Sequence, residues 1–261
     1  MNNRKLYILI TIVITLCLHV GCGGSSDPAP SSAKADPAVV SAYIAEADSL
    51  FRQREDIAKL RQAGEILGKL RATNPRNFET EWKYAKYNYF LGQKTKDDKE
   101  RTTAYETGCE AGKVASILEP LKPNGYFWYA ANLGELSNLS PITVGLKSVN
   151  DIKGAMNKVI ELQPDYEDSN AYDALAQVEL GSRLYGGSPE KAIELLEKAL
   201  QTEKRNAELR IHLAEAYLAV KRSNDAKHQL ELALQTQPDP EYLPEQKESI
   251  EEAKKMLRTK F

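Results

Sequence analysis

Ligand-forming side chains are scarce in this sequence. Its 261 residues hold three histidines and three cysteines, and after the first 21 positions only His212, His228, Cys22 and Cys109 remain. That is too few for the usual His/Cys cluster around zinc, so no metal site and no cofactor are expected. Basic charge is not in excess either. The formal net charge is −2, and it becomes −4 without Arg4 and Lys5, which excludes the positive field that nucleic-acid binding needs. No apolar run reaches the roughly 20 residues of a membrane-spanning helix. Strand-type alternation is absent, and the GxxxxGK[ST] phosphate loop is missing. What is present is ordinary globular material, 42% hydrophobic and 28% charged.

The first 21 residues, MNNRKLYILITIVITLCLHVG, carry two positive charges, then an apolar run from Leu6 to Leu18, then Gly21. That run has the length of a signal-peptide core. A small residue followed by a cysteine at the end of such a core resembles the lipobox of bacterial lipoproteins, which implies acylation of Cys22. His19 and Val20 depart from the usual residues of that box, and a plain signal peptide with a soluble product is the other reading. Residues 22–36 are rich in Gly, Ser, Ala and Pro and read as a mobile tether. Gly23 after the cysteine resembles the sorting pattern for the outer membrane, so the expected address is lipid-anchored and facing the periplasm. Cys109 then has no disulfide partner and reads as a buried thiol.

Residues 37–261 have helical periodicity nearly throughout, and the expected fold is all-α. SPEKAIELLEKAL and SNDAKHQLELAL repeat at a spacing of 34: Ala192 with Ala226, Leu196 with Leu230, Ala199 with Ala233. This is the tetratricopeptide period. Leu213, Ala214, Tyr217, Ala226, Leu230, Ala233 and Pro238 fall at positions of that pattern, with Arg210 where a large apolar residue is common. More degenerate versions end at Pro75, Pro120 and Pro164, the second with glycines at two of the small positions. One hairpin cannot bury both of its faces but stacked neighbours can, so the fold expected is a superhelix of about five hairpins, ten or eleven helices. Residues 137–149, with Pro141 and β-branched residues, are expected to lengthen one loop.

Gly186 and Gly187 precede a helix and raise the question of a phosphate cradle. Ser188 suits the N-cap, Pro189 the first turn, and Glu190 already complements the positive helix end, so a hinge is expected there. No nucleophile with a nearby base is recognisable, and the chain is read as no enzyme.

Over residues 40–258, the stretches around Pro164 to Tyr166, Gly186 to Ala192 and Leu213 to Pro238 resemble the T-component lipoproteins associated with tripartite ATP-independent periplasmic (TRAP) transporters. The resemblance implies a lipid-anchored helical scaffold, self-association as a trimer, and a periplasmic solute-binding protein as partner. An assembly lipoprotein for outer-membrane proteins, pili or envelope complexes is the alternative. Eleven of the 20 aromatic residues lie between Phe78 and Tyr129. Tyr84, Tyr87, Tyr126, Trp128 and Asn132 are the candidates for holding a partner segment or apolar ligand, because Tyr and Trp combine wide contact with one polar handle; the other reading makes them inter-repeat core.

Overall fold

A computed structural model describes residues 36–73, 76–237 and 240–261. Among them are eleven α-helices and no strand. In chain order they are α1 (Pro37–Phe51), α2 (Ile57–Thr73), α3 (Phe78–Lys94), α4 (Asp98–Leu118), α5 (Pro123–Leu139), α6 (Leu146–Leu162), α7 (Asn170–Gly181), α8 (Pro189–Thr202), α9 (Ala207–Ala219), α10 (Ser223–Leu234) and α11 (Leu243–Lys260). Short polar side chains start several of them by satisfying amides that have no intrahelical partner. Asp36 accepts from the Ala38 amide, Asn77 from Thr80, Asp97 from Glu100, and Asn206 from Glu208 and Leu209.

Each helix packs on the next, giving the hairpins α1–α2, α3–α4, α5–α6, α7–α8 and α9–α10, with α11 added as a cap. The odd-numbered helices also touch one another in series, α3 with α5, α5 with α7, α7 with α9 and α9 with α11. They therefore form one row and the even-numbered helices the other. No helix among the described residues is long and apolar enough to cross a membrane.

The small positions of the repeat are where helices meet. Ala192, Leu196, Ala199, Leu213, Ala214, Tyr217, Ala226, Leu230 and Ala233 are all buried; Pro238 lies outside the described residues, as do Pro75, Cys22 and the whole leader. The degenerate unit shows why glycine stands at its small positions. A Cβ on Gly112 would lie 2.5 Å from the Tyr129 backbone nitrogen, and one on Gly108 would lie 2.1 Å from Asn132 Oδ1, so α4 and α5 approach more closely than alanine permits.

Residues 137–149 differ from the expected loop. The chain stays helical through a π-turn at Pro141–Gly145 that leads directly into α6. Pro141 has no N–H to donate, and the ladder slips: the amides of Val144 and Gly145 both reach the Ser140 carbonyl, at 2.9 and 3.1 Å.

The apolar interior falls into two clusters. One runs from Ile44 on α1 to Leu175 on α7, and the other from Tyr172 on α7 to Met256 on α11. Helix α7 serves both, with Ala171 and Leu175 on one side and Tyr172 and Ala176 on the other.

Candidate functional site

The five aromatic and amide candidates do not share one open surface. Tyr87 is buried, stacked on Phe51 at 4.3 Å between ring centroids, and its hydroxyl donates to Asp48. Trp128 is buried among Phe90, Phe127 and Tyr89. Asn132 is fully enclosed; its Nδ2 donates to the carbonyls of Ala85 (3.1 Å) and Trp128 (2.6 Å) and so ties α5 to α3. Tyr84 and Tyr126 are half-buried. The Arg71 guanidinium covers one face of the Tyr84 ring at 4.6 Å, and the Tyr126 hydroxyl donates to the Pro120 carbonyl at 3.4 Å. Three of the five thus build the joint between hairpins, and Tyr84 and Tyr126 alone keep an accessible edge.

A different set of residues faces a common space. Gln93 Nε2 on α3 donates to the Tyr89 hydroxyl (2.8 Å) and to Glu135 on α5 (3.2 Å). Asp173 on α7 accepts from His212 Nδ1 on α9 at 2.8 Å. Glu208 lies one turn before His212 and feels His212, Asp173, Glu135 and Glu245 of α11. Side chains from α3, α5, α7 and α9 converge here, with Glu245 of α11 near enough to act on Glu208, so they line one face of the odd-numbered row, the row that forms the concave side in a superhelix of this kind. Asp173 is buried, Glu135 and His212 are half-buried, and Gln93 and Glu208 are exposed.

The wall's electrostatics follow from that half-enclosure. Loss of hydration pushes the carboxyls of Glu135 and Glu208 above their usual range, and Asp173 adds to the effect on Glu208. Burial alone would lower the His212 pKa, but the Asp173 carboxylate, supported by Glu208 and Glu215, outweighs it and raises the value to about 10. His212 is therefore an imidazolium at neutral pH, and its Nδ1–H donates to Asp173. Gln93, Glu135, Asp173, Glu208 and His212 were not apparent as candidates in the sequence. The spacing of four between Glu208 and His212, which puts both on one face of α9, is the one local sign of this wall.

The glycine stretch is a hinge. Gly186 takes φ +95°, a backbone that favours glycine, and the Ser188 hydroxyl caps α8 by accepting from the Lys191 amide at 3.2 Å. The Ser188 amide is used as well, donating at 3.1 Å to Glu179, a buried carboxylate on α7 that also binds Lys153 (2.7 Å) and Lys191 (3.2 Å). A phosphate would have to displace that carboxylate. Cys109 is half-buried, and burial pushes its thiol up to about 12, so it is unreactive at neutral pH. No group of three or more metal-ligating side chains occurs among the described residues.

Hairpins of this length, stacked through small residues with one row lining a concave wall, define an α-α superhelix of the tetratricopeptide type, a scaffold class whose work is protein–protein interaction. The comparisons agree at that level. A tetratricopeptide-repeat family model matches residues 184–243, and the model of the Regulator of microtubule dynamics protein 1-3 family matches residues 43–172. A thermophilic tetratricopeptide-repeat protein of Thermus thermophilus is similar in structure over 80% of this chain and 98% of its own, with a TM-score of 0.57 at 20% identity. PilF of Pseudomonas aeruginosa is similar over 84% of this chain and 90% of its own, with a TM-score of 0.56 at 13% identity. Likeness at those identities is likeness of fold. No curated protein matches the chain.

Proposed function

We propose that this protein is a lipid-anchored envelope scaffold that holds a partner protein against its concave wall, as an auxiliary component of a TRAP-type solute transport system. The observation that carries the binding role is the wall itself: polar side chains from four helices, half-enclosed and wet, with no chemistry of their own beyond contact. Half-enclosure strengthens each hydrogen bond that a bound segment makes. The anchor rests on Cys22 after its apolar leader, and the transport role, the solute-binding partner and trimeric self-association rest on the resemblance to T-component lipoproteins.

Two measurements test this. With Cys22→Ser the protein is expected to move from the membrane fraction to the soluble fraction; retention in the membrane would refute the anchor. A photo-crosslinking residue at position 208 is expected to capture a solute-binding protein in intact envelopes, whereas capture of barrel or pilus components would establish the assembly role instead. The family match over residues 43–172 favours a second reading, an action on microtubules such as that family's description names for its members. Co-sedimentation of the purified chain with polymerised tubulin would support it, and export of the chain across a membrane would end it.

A further inference from the structure

The start of α11 reaches back to the first hairpins through ion pairs and hydrogen bonds. Arg54, in the turn between α1 and α2, is 3% exposed. Its guanidinium lies 4.9 Å from the Phe51 ring centroid and 5.3 Å from that of Phe90, and it donates through Nε and Nη2 to both carboxylate oxygens of Glu245, at 2.9 and 2.7 Å. The two residues are 191 positions apart. Lys86 on α3 is 6% exposed and sits 5.2 Å from the Trp128 ring and 5.6 Å from that of Tyr242, donating to Glu167 at 3.2 Å. The Tyr242 hydroxyl donates to the same Glu167. At the rim Lys94 meets Glu248 at 3.5 Å and Glu55 meets Lys247 at 3.9 Å.

Two features make this more than ordinary packing. First, no side chain of α11 belongs to the apolar cluster of α1–α7; Ala253 and Met256 pack in the other cluster. Residues 242–248 therefore cross to the first hairpins on ion pairs, hydrogen bonds and one aromatic contact. Second, the receiving surface holds two sunken cations that take carboxylates: Arg54, beside Phe51 and Phe90, takes Glu245 of the crossing segment, and Lys86, beside Trp128, takes Glu167 of the loop before α7. Loss of such a partner is unfavourable for a buried cation. Glu167 is brought to Lys86 by a loop in which Glu167, Asp168 and Ser169 take φ of +45°, +55° and +63°, a left-handed run that is unfavourable for non-glycine residues. The pocket is preformed for carboxylates beside an aromatic ring.

We propose that the Arg54–Lys86–Lys94 surface is a docking site for an acidic, tyrosine-bearing segment of a partner protein, and that residues 242–248 of this chain occupy it in cis. The cis segment supplies the chemistry that a partner must match: a tyrosine over the lysine, and carboxylates three and six residues later for the arginine and the second lysine. This rests on the reading of the chain as a protein-binding scaffold and adds the partner's chemistry and its competitor. The latch is electrostatic at its rim and so is expected to loosen with salt.

The test uses the full chain with spin labels at positions 43 and 254, on α1 and α11, together with a fluorescent synthetic peptide of residues 240–249. In wild type the label distance is expected to be short and narrow, and the peptide to bind weakly. Glu245→Gln with Glu248→Gln is expected to lengthen the distance and to raise peptide affinity at least about tenfold, and a peptide carrying glutamine in place of Glu245 and Glu248 is expected not to bind. If the double variant loses its helical content, Lys94→Glu opens the rim and Glu248→Lys in that background closes it again. An unchanged distance in the open variants would overturn the latch, and opening without peptide binding would overturn the docking site. Both arms are read on the isolated chain, so a negative crosslinking result at position 208 would count against the scaffold function and leave this contact standing.

Discussion

Gly112 lies where α4 and α5 approach closely, and a methyl group there would press on backbone, which cannot rotate away. Gly112→Ala is expected to destabilise the fold by about 1–3 kcal/mol even though alanine is the better helix former, read as a lower urea midpoint at unchanged slope. Tyr87 shows the limit of an alanine test. It is buried against Phe51, so Tyr87→Ala would cost about 3–5 kcal/mol of core and confound any binding assay. His212 offers a cleaner measurement because its charge depends on the fold. Its pKa is raised to about 10 from an unfolded value near 6.5, so the stability it contributes is complete below about pH 6.5 and is lost as pH rises through about 10. Replacing Asp173 by Asn removes the charge that holds the proton. The wild-type melting temperature is expected to fall between pH 7 and 10 more steeply than that of Asp173→Asn, with about 2 kcal/mol at stake for a charged hydrogen bond at a half-buried site. Parallel slopes would show that the pair is solvated.

The joint between α7 and α8 shows which elements can be read from a sequence and which cannot. Ser188, Pro189 and Glu190 announce a helix start locally, and Ser188→Ala is expected to cost about 1 kcal/mol. Gly187→Ala is expected to cost more, since its Cβ would lie 2.2 Å from the Glu179 carbonyl oxygen; thermal melts of the two variants rank them. Glu179 itself, which fixes the hinge through the Ser188 amide, stands nine residues upstream on another helix, and nothing near it in the sequence marks it. The same division runs through the molecule. Alanines and leucines recurring every 34 residues were legible because each unit must bury the same face. The two glycines of the fourth helix were legible for the same reason, as small residues at small positions. The π-turn after α5 was not, because Pro141 permits either a loop or a slipped ladder, and packing of α6 on α5 decides. Nor was the concave wall: Glu135, Asp173 and Glu208 are ordinary surface acids until the stacking of odd-numbered helices brings them together.

At the scale of the molecule the two apolar clusters meet around α7, bridged also by Ile160 on α6 and Leu195 on α8, and the closing contacts between α11 and the first hairpins are polar. Repeat folds of this kind draw their cohesion from neighbouring units, so cooperativity weakens where an interface is thin. The two halves carry different reporters. Both tryptophans, Trp82 and Trp128, lie in the first cluster, while helices that absorb in the far ultraviolet are spread along the chain. Leu230 is fully buried in the second cluster, and Leu230→Ala is expected to cost about 2–5 kcal/mol there. If the halves unfold separately, the circular-dichroism transition of Leu230→Ala gains an early phase while the tryptophan-fluorescence midpoint stays near that of wild type. Coincident shifts in both signals would instead mean that α7 and the Arg54–Glu245 closure bind the superhelix into one cooperative unit. In that case Glu245→Gln, placed on top of Leu230→Ala, is the change expected to separate the two transitions.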